Sequence, residues 1–353
     1  MKKFGIILLV FFIVSISNSN AQVISKEDSL KLKDSFYYFN GLLPGAIVSI
    51  VSNGNEIYYR NFGLANNDTK EKISRNHFFN ISLMGRMYTA MAILKLEEMN
   101  KLSLDESLTD IFPDFPKYGE NITVKNLLSH TSGLVNYDPL KISTNKELLK
   151  YLYIQDSLTF QPGSQWSYSN SDFPILASII EVKSKMAYQK FLKKHIFKNL
   201  KISKKQFFDE FKAELLVSGH NEKSWNYTVV NDAYSKIYGE KGIFLTIDDL
   251  LKTENAIFYN KNNPVENYNK SFEKFKTINA IEINFGLGWY IVPQDKENTE
   301  KTIYWIGGKD HGMQTVIVHF PVEKLSVILI INRDHMYTNI VKMAVDIGKL
   351  VIE

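Results

Sequence analysis

The sequence contains no cysteine in 353 residues. This absence excludes a disulfide framework, thiolate zinc sites, iron–sulfur clusters, a thiol nucleophile and a lipid-modified cysteine. Charge of one sign is not in excess either, since 42 basic residues stand against 38 acidic ones and give a net charge of +4. So balanced a chain lacks the basic surface of a nucleic-acid-binding protein, and we expect no nucleic-acid partner.

Long apolar runs are also scarce. After the N-terminus no apolar run approaches the roughly 20 residues of a membrane-spanning helix, so no transmembrane helix is expected in the mature protein. The N-terminus itself has Lys2 and Lys3, an apolar stretch from Ile6 to Ile16, and the small-residue sequence Ser19-Asn20-Ala21. This pattern predicts a secretory signal peptide over residues 1–21, and therefore a periplasmic or extracellular protein.

Residue spacings typical of metal and phosphate sites are missing as well. The seven histidines show neither His-x-x-x-His nor His-Glu-x-x-His spacing, so we expect no metal ion. Gly307-Gly308-Lys309 lacks the spacing of a phosphate loop, and Gly286-x-Gly288 lies in a strand pattern instead of opening a helix. We therefore expect no cofactor.

The residues that are present predict the order of secondary structure. Two β-rich runs surround Asn53-Gly54, a dipeptide favoured in hairpin turns, and four more runs follow from Phe285 onward. Between them, helical spacing predicts a mostly buried helix over Met84–Asn100, and Thr246 with Asp249 predicts a capping box at a helix start. Amphipathic patterns predict terminal helices within Val23–Asn40 and Tyr337–Glu353.

Strand patterns thus lie near both ends of the chain and helical patterns lie between them. They predict an α/β fold of the α+β type, in which one antiparallel sheet is flanked by terminal helices and carries an inserted all-helical lobe. We expect a sheet lobe over residues 22–82 and 251–353 and a helical lobe over residues 83–250.

Several segments carry a family resemblance. NITVKNLLSHTSGL (Asn121–Leu134), QPGSQWSYSNSDFPILASII (Gln161–Ile180) and VIVHFPVEKLSVILIINR near the C-terminus resemble, in this order, elements of the serine β-lactamase and penicillin-binding-protein-like superfamily, on its class C and esterase side. The resemblance implies a β-lactamase/transpeptidase-like fold. It also implies three catalytic elements: Ser-x-x-Lys, Tyr-x-Asn, and a strand with Lys or His, then Ser or Thr, then Gly.

The first element is substituted in this chain. Counting back from KLEEMNKLSLD without gaps places Leu83 at the nucleophile position and Arg86 at the lysine position. Leucine has no nucleophilic atom, and arginine stays positively charged and cannot act as a base. The neighbouring Ser82 offers an alternative nucleophile, since Ser82 and Arg86 are four residues apart on one helix face. We expect instead that Ser82 is the N-cap of the helix, with its hydroxyl accepting from an N–H.

The second element is retained and the third is substituted. Tyr168-Ser169-Asn170 matches Tyr-x-Asn, and it is expected either to assist proton transfer or to shape the cleft by hydrogen bonds. The third element reads Trp305-Ile306-Gly307 or Ile306-Gly307-Gly308, and neither register supplies the cation or the hydroxyl. Lys309 and His311 follow closely; we expect solvated loop residues there, with partial replacement of the anion site as the alternative. Trp305 is a candidate to fill the emptied pocket.

These substitutions lead to three hypotheses. The first is an exported pseudoenzyme whose cleft, near Arg86, Tyr168 and Asn170, binds a peptidoglycan-like peptide, a small amide or ester, or a protein partner. The second is an active serine hydrolase, of the esterase, D-Ala-D-Ala-type peptidase or β-lactamase kind, that uses Ser82 with Tyr168. The third is an assembly role in the cell envelope without a ligand in the cleft.

Overall fold

The computed structural model describes residues 24–39, 41–139, 141–202, 206–207, 210, 215–223, 226–230, 237–294, 300–334 and 339–353. The predicted signal peptide, residues 1–21, lies outside the described residues. Within them, no helix has both the length and the apolar character needed to cross a membrane.

Six of the described strands form one antiparallel sheet in the order β2-β1-β10-β9-β8-β7. Two-stranded sheets join β3 to β6 and β4 to β5. The strands are β1 (Ala46–Ser52), β2 (Asn55–Phe62), β3 (Phe79–Asn80), β4 (His220–Lys223), β5 (Asn226–Val229), β6 (Phe244–Leu245), β7 (Tyr290–Pro293), β8 (Thr302–Asp310), β9 (Met313–Phe320) and β10 (Leu325–Ile331).

The large sheet joins the two ends of the chain, as the strand patterns predict. β1 pairs with β10 from Ala46 opposite Ile331 onward, and the β1–β2 hairpin turns at Asn53 and Gly54, whose φ angles are 50° and 74°. These positive φ angles explain why Asn-Gly occupies the turn. The strand predicted from Phe285 is shorter than its sequence pattern. It begins only at Tyr290, because Gly288 has a φ of 86° and turns the chain before it.

Ten α-helices are described, and most of them lie between β3 and β6 in the chain. They are α1 (Lys26–Ser35), α2 (Gly85–Glu98), α3 (Leu108–Ile111), α4 (Val124–Leu128), α5 (Asn145–Tyr153), α6 (Asp172–Ser184), α7 (Tyr188–Phe191), α8 (Lys198–Leu200), α9 (Ile247–Tyr259) and α10 (Ile340–Ile352). Short 3₁₀ helices cover Tyr37–Phe39, Ser82–Met84, Lys117–Asn121 and Tyr268–Phe272, and a π-helix covers Leu192–Phe197.

Two hydrophobic cores lie on opposite faces of the sheet. On one face α10 buries Ile340, Ala344 and Ile347, one helical stripe, in the same cluster as Leu32 of α1. On the other face the larger core contains α2 and α6, which are apolar on nearly all sides and accordingly buried. Because β1, β9 and β10 lie between the two cores, every residue of these strands is buried.

Helix α9 starts with the predicted capping box. The Thr246 side chain accepts from the Asp249 N–H, and the Asp249 side chain accepts from the Thr246 N–H. This helix runs from Ile247 to Tyr259, so the predicted lobe boundary at residues 250 and 251 would fall inside it. The division of the chain into two lobes stays a prediction.

Candidate functional site

A cavity of about 560 Å³ lies where the start of α2, the strand β8 and the start of α10 meet. It brings together residues that are far apart in the sequence, including most of those that the sequence analysis singled out. The lining residues are Leu83, Arg86, Tyr168, Tyr290, Trp305, Gly307, Gly308, Lys309, Asn339, Ile340 and Val341.

The turn that leads into α2 has an unusual backbone at Ser82. Ser82 has a φ of 52°, in the left-handed region that non-glycine residues rarely adopt. The Asn80 side chain supports this turn, because its Oδ1 accepts from the Ser82 N–H at 2.9 Å while its Nδ2 donates to Asp310 at 3.0 Å. β3 and β8 together therefore impose the conformation of Ser82.

The prediction that Ser82 is a helix N-cap is wrong. Ile81 precedes the 3₁₀ helix Ser82–Met84, and no side chain caps its end. The Ser82 Oγ is buried and has no hydrogen-bond partner among the described residues. The residue is fully buried and is absent from the cavity lining.

Leu83 is the residue of this turn that reaches the cavity, and its side chain covers Gly308 on β8. A Cβ at Gly308 would lie 2.5 Å from Leu83 Cδ1 and 2.8 Å from its Cγ, well inside van der Waals contact. The missing side chain at position 308 is thus what allows Leu83 to pack there. β7 pairs with β8 only as far as Trp305, so Leu83 lies against a part of β8 that β7 leaves uncovered.

Arg86 lies one turn further along α2 and is 1% exposed. Its Nε donates to the Leu83 carbonyl at 3.1 Å, and its Nη2 donates to the Gly307 carbonyl at 3.2 Å. The guanidinium also lies 5.5 Å from the ring centre of Tyr168 and 5.9 Å from that of Phe173, which are cation–π distances. Arg86 therefore ties α2 to β8 across the base of the cleft.

Tyr168 lies beside Arg86, and its hydroxyl donates to Glu240 Oε2 at 3.1 Å. Burial, and then the nearby Glu240 carboxyl, raise the pKa of Tyr168, so its hydroxyl keeps its proton. Burial also raises the pKa of Glu240, although Lys241 and Arg86 act in the opposite direction.

Asn170 is not a lining residue; its backbone N–H donates to Asn136 Oδ1 at 2.6 Å.

A buried polar cluster supports Tyr168 from behind. His130 lies 4.8 Å from the Tyr168 ring, and its Nδ1 is 2.7 Å from Asp172 Oδ2, while the Ser132 hydroxyl donates to Asp172 Oδ1 at 2.5 Å. Burial lowers the pKa of His130 and raises that of Asp172, which in each case favours the uncharged form. The cluster positions the aromatic wall and does not line the cleft.

The strand side of the cleft is aromatic. Trp305 stacks on Tyr290 with ring centres 3.9 Å apart and planes 3° apart, so it forms a wall and does not fill the cavity.

Lys309 Nζ is 3.4 Å from Asp334, and His311 Nδ1 is 2.9 Å from Asp310. Of these two basic residues only Lys309 lines the cavity.

Several lining residues were not foreseen. Tyr290 and the start of α10 (Asn339, Ile340 and Val341) carry no local signal that links them to α2. Glu240, the hydrogen-bond partner of Tyr168, was not foreseen either, although a glutamate in YGEKGIF, among apolar residues and glycines, is a signal that could have identified it.

The lining combines a few polar groups with a large apolar surface. It offers a cation, a lysine, a tyrosine hydroxyl, an asparagine and a large aromatic and aliphatic surface, and no serine, threonine or cysteine contributes to it among the described residues. No group of three or more potential metal-ligating side chains occurs in the described parts of the chain.

Comparison with known protein sequences finds a matching family model and similar proteins from Bacillus subtilis. The family model Beta-lactamase matches residues 37–347. Penicillin-binding protein 4* of Bacillus subtilis (strain 168) is 26% identical over 326 residues, which cover 84% of this chain and 69% of that protein. The putative penicillin-binding protein PbpX of the same strain is 31% identical over 254 residues, which cover 70% of this chain and 62% of that protein.

Solved structures show the same fold. A class C β-lactamase superposes with a TM-score of 0.76 at 20% identity, covering 94% of this chain and 98% of its own. The octameric penicillin-binding protein homologue from Pyrococcus abyssi superposes with a TM-score of 0.74 at 22% identity, covering 92% of this chain and 75% of its own. The predicted β-lactamase/transpeptidase-like fold is thereby confirmed.

Proposed function

The chain belongs to the β-lactamase family, and we propose that it has lost acyl transfer and binds a ligand in the former active-site cleft. The observation that carries this proposal is the Leu83 side chain. It lines the cavity at the place where the family resemblance puts the nucleophile, and it lies on Gly308 of β8. It therefore supplies no nucleophile and also occupies the strand face along which an acyl substrate would lie.

The proton-transfer groups support the same proposal. Arg86 stands at the position of the general-base lysine, and a guanidinium cannot accept a proton at neutral pH. The Tyr168 hydroxyl is engaged with Glu240 and keeps its proton. Loss of a serine nucleophile alone can lower turnover on the order of a millionfold, so these substitutions together leave little of the family reaction.

Ser82 does not restore the reaction. Its hydroxyl is buried, is absent from the cavity lining, and lies on a residue whose positive φ is stabilised by Asn80. Bringing it into the cleft would require the turn between β3 and α2 to change its backbone conformation, and would break the hydrogen bond between the Ser82 N–H and Asn80.

The cleft itself is suited to reversible binding. Its volume of about 560 Å³ lies in the range of small-molecule sites, which are mostly apolar and carry a few polar groups that orient the ligand. An export signal in the sequence and relatives named as penicillin-binding proteins support a location outside the cytoplasm. We therefore propose a cell-wall peptide fragment or a related small amide as the class of ligand.

Covalent labelling tests the loss of catalysis. The purified protein and its Ser82→Ala variant are treated with a fluorophosphonate probe and with a fluorescent penicillin, beside an active penicillin-binding protein as labelling control. We expect no label on either form. Label on the wild type that disappears from Ser82→Ala would overturn the proposal and establish a serine hydrolase.

Thermal unfolding with peptidoglycan fragments tests the binding. A fragment present at one hundred times its dissociation constant adds about 2.7 kcal/mol to the stability and raises the melting temperature. No shift with any fragment, together with co-purification of an envelope protein, would favour the assembly role.

A further inference from the structure

The Arg86 guanidinium is a buried cation with no described carboxylate in direct contact. Its two hydrogen bonds go to the carbonyls of Leu83 and Gly307, which are neutral acceptors. No carboxylate of the described residues lies within 4 Å of it, and its Nη1 has no hydrogen-bond partner among them. A buried charge of this kind is costly unless it is paired, so the site is incomplete as it stands.

The other charges around the cavity do not complete it. Lys309 pairs with Asp334, and Lys241 pairs with Asp310 at 3.3 Å. Glu240 is fully buried, accepts its hydrogen bond from Tyr168 and forms no ion pair with Arg86 within 4 Å, although the charge of Arg86 lowers the pKa of Glu240 against the effect of burial. Arg86 therefore has no direct ion-pair partner among these described side chains.

The aromatic and aliphatic lining of the cavity indicates which ligand shape would fit beside Arg86. The stacked rings of Trp305 and Tyr290 form one side, and Leu83, Ile340 and Val341 contribute aliphatic surface. Such a wall favours a flat apolar group, because burial of apolar surface contributes about 25 cal/mol per Å².

We propose that the cavity binds small carboxylates with a flat apolar body, and that the carboxylate accepts a hydrogen bond from Arg86 Nη1 while the body packs on Trp305 and Tyr290. A charge-assisted hydrogen bond is about twice as strong as a neutral one, so Arg86 selects for the anion. Nη1 is buried, so the proposal includes a side-chain rotamer change, of a kind common on binding, that exposes Nη1 to the ligand. This inference rests on the proposed function, since it names the ligand class of the same cleft.

The position of this anion site differs from that implied by the family resemblance. The resemblance places the anion-binding cation on the strand, where this chain has Trp305 or Ile306. Here the cation comes from helix α2, from the position of the general-base lysine. The position at which the family resemblance places a proton-accepting lysine thus holds, in the proposal, the arginine that binds the anion.

Calorimetric titration with a matched pair of probes tests the proposal. 3-Phenylpropanoate and 3-phenylpropanamide share an apolar body and differ in the charge of the terminal group. We expect the wild type to bind the acid at least about tenfold more tightly than the amide, which corresponds to about 1.4 kcal/mol. Arg86→Met should lower this ratio to about one. Arg60→Met is the control, because Arg60 lies on β2 at the opposite edge of the sheet from β7 and should leave the ratio unchanged.

Three results would overturn the proposal: equal affinities of acid and amide for the wild type, no binding of either probe, or a ratio that survives in Arg86→Met. The wild-type ratio decides the question even if Arg86→Met does not fold. None of these results affects the outcome of the covalent-labelling test. The titration therefore tests the ligand class, and the labelling tests the loss of acyl transfer separately.

Discussion

The contact between Leu83 and Gly308 makes a quantitative prediction. A Cβ at position 308 would lie 2.5, 2.8 and 2.9 Å from Leu83 Cδ1, Cγ and Cβ, so Gly308→Ala overpacks the base of the cleft. Overpacking typically costs about 1–3 kcal/mol, and we expect Gly308→Ala to lower the free energy of unfolding by about 2 kcal/mol. In a Leu83→Ala background the two closest contacts vanish and only the 2.9 Å contact remains. The same substitution should then cost about 1 kcal/mol.

Gly307 supplies the matched control. A Cβ there would lie 2.2 Å from the backbone oxygen of Thr315 and would not meet Leu83. Gly307→Ala should therefore cost the same in both backgrounds, whereas Gly308→Ala should show a coupling energy of about 1 kcal/mol with Leu83→Ala. The assay is urea unfolding followed by circular dichroism, with linear extrapolation to water. Additive effects at Gly308, or an equal coupling at Gly307, would refute the placement of Leu83 on the strand.

Three further predictions concern buried polar groups. Burial raises the pKa of Glu254 from 4.5 to about 7. The folded chain therefore holds this proton more tightly than the unfolded chain, and the free energy of unfolding falls as the pH rises from 4.5 through 7. Glu254→Gln keeps an acceptor for the Ser326 hydroxyl. This variant should be about 3 kcal/mol more stable than the wild type at pH 8 and equal to it in stability near pH 4. A stability difference that does not change with pH would contradict this expectation. Ser82→Gly should exceed Ser82→Ala in stability by about 1 kcal/mol in thermal unfolding, because only glycine relieves the positive φ, and equal stabilities would argue against that backbone. Tyr168→Phe should lower the free energy of unfolding by about 1–3 kcal/mol, since it removes the hydrogen bond to the buried Glu240, and an unchanged urea midpoint would show that this bond contributes nothing.

Local signals predicted much of the fold correctly. The Asn53-Gly54 turn and the Thr246 capping box depend on a few adjacent residues, and both are confirmed. The assignment of Leu83 to the nucleophile position rests on the family resemblance and stays a prediction; the structure adds that Leu83 is the residue of its turn that lines the cavity.

Non-local packing accounts for what the sequence did not reveal. Serine before a helix ordinarily predicts an N-cap, but Asn80, itself bound to Asp310, holds Ser82 in a left-handed conformation, and the Ser82 side chain makes no capping hydrogen bond. The partner of Tyr168 was also missed, because Glu240 is 72 residues away and becomes its neighbour only in the folded chain. The lack of a carboxylate in contact with Arg86 is likewise visible only once all its neighbours are placed.

Intact-protein mass spectrometry after exposure to penicillin tests the central claim most directly. The wild type is compared with the double variant Leu83→Ser, Arg86→Lys, which restores Ser-x-x-Lys in the present register, and any adduct is mapped to its residue. The account predicts that the wild-type mass stays unchanged and that an adduct on the double variant is carried by residue 83. A penicilloyl adduct on the wild type, or an adduct on Ser82 of either protein, would contradict it.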